Sequence, residues 1–118
     1  MRKIIAVDFD GTLCTRNWPK IGDPNTELIG QLIREQKNGA ILILYTCRER
    51  KLLREAVSWC KKQGLVFDEV NRNAKERIKA YKSDSRKISA DVYIDDRAAA
   101  FSFGKELELG GNKDAGED

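Results

Sequence analysis

Apolar residues fall in short continuous runs, separated by stretches of helical period. Ile4-Ile5-Ala6-Val7 and Ile41-Leu42-Ile43-Leu44-Tyr45 are rich in branched side chains, as strands covered on both faces require. Val66 to Val70 is a weaker third run, and Val92-Tyr93-Ile94 is a fourth that ends in Asp95-Asp96. Between them the spacing predicts helices. Asp23 caps a first helix that opens on Pro24, carries Leu28, Ile29, Leu32 and Ile33 on one face, and stops at Asn38-Gly39. A second runs from Glu49 to Gln63 with Leu52, Leu53, Ala56, Val57 and Cys60 as its stripe, closed by Gly64. A third, short helix spans Ala74 to Tyr81. Lys82 to Ser89 is polar and loop-like, and Ala98-Ala99-Ala100 favours a helical turn within an otherwise ambiguous Arg97 to Leu109.

Strands alternating with helices imply right-handed crossovers, and hence a doubly wound, Rossmann-like α/β sheet, mainly parallel, with helices on both faces. At 118 residues the chain has the length of one domain, placed at 1–109, and the polar tail 110–118 is expected to be disordered. Ligands of such sheets bind beyond the carboxyl ends of the strands. That rule selects Asp8-Phe9-Asp10-Gly11-Thr12, Thr46-Cys47-Arg48, Asn71-Arg72-Asn73 and Asp95-Asp96-Arg97.

Composition narrows the chemistry available there. The chain has no His, which excludes Ser-His, Cys-His and His-metal sites. Net charge is +3 from 22 basic and 19 acidic residues, interleaved, so no dedicated nucleic-acid stripe is indicated. Cys14, Cys47 and Cys60 form no C-x-x-C pair, and the N-terminus holds only five apolar residues before Asp8. Reduced thiols in a cytoplasmic protein without a membrane span are the expectation.

Asp8 and Asp10, two apart on an extended backbone, aim their carboxylates to one side; Gly11 allows a tight turn and Thr12 ties it. With Asp95 and Asp96 from another strand end, four carboxylates converge, a cluster that needs protons or a cation. A hard oxygen-binding ion, Mg²⁺, is the economical answer.

Val7-Asp8-Phe9-Asp10-Gly11-Thr12-Leu13 resembles the first signature of the haloacid dehalogenase (HAD) superfamily of phosphohydrolases, Thr46 its second, and Val92-Tyr93-Ile94-Asp95-Asp96 its fourth. The resemblance implies a Mg²⁺-dependent phosphatase that works through an aspartyl-phosphate. Asp8 is then the nucleophile and Asp10 the general acid and base. The metal is held by Asp8, Asp10 (through its carbonyl) and Asp95, with Asp96 in the surrounding shell or bound through water. Thr46 contacts the phosphoryl group, and Gly11, Thr12 and Arg48 line the substrate, although Arg48 equally fits an ordinary charge at a helix start. The third signature, a lysine, is assigned to Lys87, with Lys82 competing. Asn71 and Asn73 fit a turn as well as a substrate contact, and Trp18-Pro19 fit a pocket wall or a loop anchor.

No stretch is long enough for the cap domain that many members carry, since residues 13–40 hold a loop and one helix and residues 47–86 hold helix, strand and short helix. The short-loop form is similar to small bacterial and phage hydrolases of the superfamily. A capless, open site suits a phosphate on a small molecule or a nucleic-acid end, or closure by a second copy in a homo-oligomer. Two other classes compete. One is a receiver-like signalling domain, against which the Asp-x-Asp-Gly-Thr order counts; the other is a catalytically silent phosphate-binding module.

Overall fold

The computed structural model describes residues 2–82, 87–98 and 100–110. Its elements follow in the order β1 (Ile4–Val7), α1 (Thr26–Lys37), β2 (Ile41–Leu44), α2 (Arg50–Lys62), β3 (Glu69–Val70), α3 (Lys75–Tyr81) and β4 (Val92–Ile94). The four strands form one all-parallel sheet in the order β3-β2-β1-β4, the expected doubly wound arrangement. Because β1, β2 and β3 step one way and β4 returns to the far side of β1, the topological switch point lies between β1 and β4.

Each strand sends alternate residues to opposite faces, and both faces are covered. Ile5, Val7, Leu42 and Leu44 pack with Leu28, Ile29 and Leu32 of α1 and with Ala56 and Cys60 of α2. Ile4, Ala6, Ile41 and Ile43 meet Ala74 ahead of α3 and the partly buried Ile88 and Ala90. All eight residues of β1 and β2 are buried, which is why their sequence shows no polar alternation.

The structure moves the start of two sequence-predicted elements by two residues or more. The first helix begins at Thr26, capped by Asn25 rather than Asp23. The carbonyl of Asp23 accepts from the Thr15 amide (2.9 Å) and Pro24 bridges to Cys14, so both are held in extended pairing. Asn25, 1% exposed, makes the better cap: its Oδ1 accepts from the Leu28 amide (3.4 Å) and the Gly104 amide (3.3 Å), and its Nδ2 donates to the Thr12 carbonyl at 2.9 Å. The third strand is only Glu69–Val70, because Val66 is half exposed and the ladder with β2 starts at Ile43↔Glu69. Before it, Asp68 turns its side chain to accept the Leu42 amide at 2.8 Å.

Residues 97–110 contain no helix among those described; Ala98 and Phe101 close single turns onto Asp95 and Ala98. Beyond them the chain is docked on α1 by a reciprocal amide pair, Gln31 Nε2 to the Leu107 carbonyl (2.8 Å) and the Leu107 amide to Gln31 Oε1 (2.9 Å), which buries Leu109. Of the expected tail, 111–118 lies outside the described residues, as does 83–86 of the expected loop. No described helix is long and apolar enough to cross a membrane.

Asn25→Ala removes a helix cap and leaves the buried Thr12 carbonyl without its donor, and is expected to cost about 2–3 kcal/mol, read as a lower urea midpoint with an unchanged m-value.

Candidate active site

The register of the sheet builds the site. Val7 pairs with Leu44 on one side and Ile94 on the other, so the next residues, Asp8, Tyr45 and Asp95, stand abreast at the carboxyl edge. The Asp8 amide donates to the Ile94 carbonyl and the Tyr45 amide to the Val7 carbonyl, each at 2.9 Å, which fixes this alignment. A cavity of about 540 Å³ opens there, lined by Asp8, Asp10, Thr46, Asp95 and neighbours from the loops after all four strands and from the loop that leads into β4.

One oxygen from each of Asp8, Asp95 and Asp96 lies within 4.8 Å of the others. Asp8 Oδ1 accepts from the Phe9 amide at 2.8 Å. Asp95 accepts from the Arg97 amide (2.9 Å) on Oδ1 and the Tyr45 hydroxyl (3.2 Å) on Oδ2. Asp96 Oδ2 pairs with Arg16 Nη2 at 2.7 Å, whereas its Oδ1 is buried with no hydrogen-bond partner among the described residues. A buried carboxylate oxygen without a donor, beside two other carboxylates, fits a hard divalent cation.

Burial raises the Asp8 carboxyl from its ordinary 3.8 to about 6, against the pull of the Phe9 amide and with help from the charges of Asp95, Asp96 and Asp10. Burial also works against ionised Asp95, yet the Arg97 amide and the neighbouring hydrogen bonds hold it below the ordinary carboxylate value. Burial and the charge of Asp95 push the Tyr45 hydroxyl up, so it stays a donor.

Gly11 and Thr12, expected to touch substrate, serve the turn instead. Gly11 has φ +82°, and a β-carbon on it would sit 2.5 Å from Asp96 Oδ2. Thr12 is fully buried, its Oγ1 accepting the Asp96 amide at 2.9 Å, which ties the first motif to the fourth. Thr46 does line the cavity; its Oγ1 accepts the Arg48 amide (3.1 Å) and its own amide donates to Asn71 Oδ1 (2.8 Å). Asn73 acts at a distance from the cavity, with Oδ1 accepting the Ser89 amide.

Among the described residues Arg48 is the largest fully buried side chain, and it turns beneath the cavity wall rather than into the open space. Its guanidinium binds Asp10 bidentately (Nη2 to Oδ1 2.7 Å, Nε to Oδ2 2.9 Å) and donates to the carbonyls of Pro19 and Lys20, both at 3.1 Å. It lies 5.1 Å from the Phe9 ring centroid and 5.0 Å from that of Trp18. Among the described residues the cations lining the cavity are Arg16 and Arg97. Lys87 is exposed and Lys82 ends α3 in a left-handed conformation; neither lines the cavity. Sequence reasoning selected Arg97 with the end of the fourth strand but passed over Tyr45 and Arg16 as site residues. Tyr45 adjoins a selected residue, whereas Arg16 carried no spacing signal at all.

No protein-family model matches this sequence, and no curated protein does. The solved structure of a conserved protein coded by a locus from Bacteroides thetaiotaomicron is similar, at 38% identity and a TM-score of 0.74, over 84% of this chain and 79% of that one. The chain belongs to the same family as that protein. The likeness extends over most of both chains, and the fold is shared.

Two measurements test this electrostatic account. Between pH 4 and 6 folded protein keeps a proton on Asp8 that the unfolded chain releases, so wild type loses stability as pH rises through that window. In chelator, Asp8→Asn is therefore expected to gain about 1–2 kcal/mol on wild type between pH 4 and pH 7, allowing for water at the open mouth. Arg48→Ala strands Asp10 and two carbonyls and is expected to cost about 3–5 kcal/mol by chemical denaturation.

Proposed function

We propose that this protein is a Mg²⁺-dependent phosphomonoesterase of the haloacid dehalogenase type, acting through an aspartyl-phosphate on Asp8. The observation that carries the reading is the carboxyl edge itself: Asp8 stands beside Asp95 and the partnerless oxygen of Asp96, with Asp10 two residues on and Thr46 across the cavity. Asp8, Asp95 and Asp96, with the carbonyl of Asp10, would hold the ion. Bound there, Mg²⁺ would neutralise charge on the transferring phosphoryl group and draw the Asp8 proton off at neutral pH.

The remaining chemistry belongs to the chain. The Phe9 amide occupies Asp8 Oδ1, which leaves Oδ2 to attack phosphorus. A P–O bond forms as the ester P–O bond breaks, and the departing oxygen takes a proton from Asp10, which enters this step in its acid form and regains that proton from water in the next. Asp10, now a carboxylate, withdraws a proton from water, the water oxygen attacks phosphorus, and the bond to Asp8 Oδ2 breaks to release phosphate. Arg48 occupies one lone pair on each Asp10 oxygen and leaves another for this proton. The Thr46 hydroxyl and the Arg16 and Arg97 side chains supply donors for the non-bridging oxygens.

Phosphate release from a broad panel of monoesters is expected to need Mg²⁺, to stop in chelator, and to fall at least about a thousandfold in Asp8→Asn, whose melting temperature also no longer responds to Mg²⁺ as wild type's does. Asp8→Asn protein that turns over at the parental rate would remove the nucleophile, and with it this reading.

A further inference from the structure

The cavity is far larger than a phosphoryl group and one of its walls is an aromatic plane. Trp18 is 58% exposed, an unusual state for an indole in a small protein, and it lines the same cavity as Asp8 and Asp10. It is also held in place. The buried Arg48 guanidinium lies under its ring at 5.0 Å and binds the carbonyls of the next two residues, Pro19 and Lys20, so the loop cannot swing without breaking those bonds. The same guanidinium grips Asp10, so one buried side chain contacts both the Trp18 ring and the Asp10 carboxylate. With Arg48 against one face of the indole, the other is left for the cavity.

We propose that the substrate of this site, on the phosphatase reading above, is a phosphate monoester that carries a nucleobase, with the base stacked on Trp18 and the phosphate on Asp8. A planar π-system is the chemistry that an open, rigid indole recognises without base-specific hydrogen bonds. Cationic Arg16 and Arg97 on the cavity rim suit a nucleotide phosphate. At about 540 Å³ the cavity has the size of a small-molecule site, room for base, sugar and phosphate together. Free nucleoside monophosphates and phosphorylated oligonucleotide ends share this chemistry, and the capless edge admits both.

The test compares kcat/KM for adenosine 5′- and 3′-monophosphate, for 5′- and 3′-phosphorylated oligonucleotides, and for ribose 5-phosphate, in wild type, Trp18→Ala and Trp18→Phe. The best base-bearing substrate is expected to exceed ribose 5-phosphate by about tenfold or more. Trp18→Ala should collapse that ratio towards one, chiefly through KM, and Trp18→Phe should restore most of it. Faster turnover of the mononucleotide or of the oligonucleotide end supports the proposal either way and separates its two sources. Should Trp18→Ala fail to fold, nucleotide binding to full-length Asp8→Asn by tryptophan quenching replaces it, with Trp18→Phe in the same background removing the quench. Ribose 5-phosphate turned over as well as the nucleotides overturns the base platform and leaves the phosphatase reading standing. Nucleotide quenching of Trp18 in a protein that hydrolyses nothing supports the platform and removes the phosphatase. A dimer that dissociates in Trp18→Ala, with no base preference in wild type, overturns the proposal and assigns the indole to a second copy of the chain.

Discussion

Parallel pairing of β1 with β4 forces Asp8 and Asp95 side by side, and the rest of the carboxyl edge is arranged around that crowding. Two carboxylates about 4 Å apart repel by about 4 kcal/mol at the effective dielectric of a protein surface. The sheet can impose the contact because β1 is buried along its whole length and held between β2 and β4, so its register cannot slip without turning the core outward. Two of the four acids are neutralised internally, Asp10 by Arg48 and Asp96 by Arg16. The other two, Asp8 and Asp95, have no ion pair of their own among the described residues, and their two charges match one divalent cation. Burial, with the neighbouring acids adding to it, raises the Asp8 pKa, whereas hydrogen bonds led by the Arg97 amide, together with the charge of Arg97, hold Asp95 below the ordinary carboxylate value.

Arg48 connects this charge balance to the shape of the cavity. It leaves the end of β2, passes under Trp18, and ends on an acid that follows β1. A buried ion pair is a poor source of net stability, since desolvation offsets most of the attraction. What it supplies here is position: the bidentate fork fixes the Asp10 carboxylate in a plane, and the two carbonyl contacts fix the loop 17–22 relative to it. Under the proposed reaction the group that moves protons and the wall that meets the substrate are therefore set by one side chain. Phe9 closes the stack from below and is itself held edge-on by Trp59 of α2, so the helix stripe contributes to the same alignment.

The sheet was legible because its two central strands are buried on both faces and spell continuous branched runs; nothing in their sequence competes with that reading. Edges were less so. Val66 to Val70 is apolar enough for a strand, yet a strand needs a partner along its whole length, and the ladder with β2 reaches only Glu69 and Val70, with Asp68 bonded to Leu42 ahead of it. The first helix starts two residues later than its Asp-Pro signal because the choice between Asp23 and Asn25 is made by long-range bonds to Thr12, Thr15 and Gly104, which no local pattern records. The acids of the site share this logic in reverse: strand ends are visible in a sequence, so Asp8, Asp10, Asp95 and Asp96 could be selected together. Arg16 and the burial of Arg48 were not visible, because a charged side chain in a loop reads alike whether it meets solvent or a carboxylate from another strand.

The absence of an inserted cap places a specific burden on the short loops. Between β2 and β4 the described chain holds only α2, β3 and α3, so the cavity is walled by what the strand ends themselves carry. Loops that close over a substrate must be able to open, and their contacts are correspondingly weak. The loop bearing Trp18 has the opposite character, because its carbonyls are bonded to a fully buried guanidinium and the same guanidinium stacks on its ring. A wall of that kind selects by fixed shape and stacking rather than by closure. On the proposed reading, discrimination between substrates then falls on the groups held in place: the indole plane and the carboxylates at the strand ends.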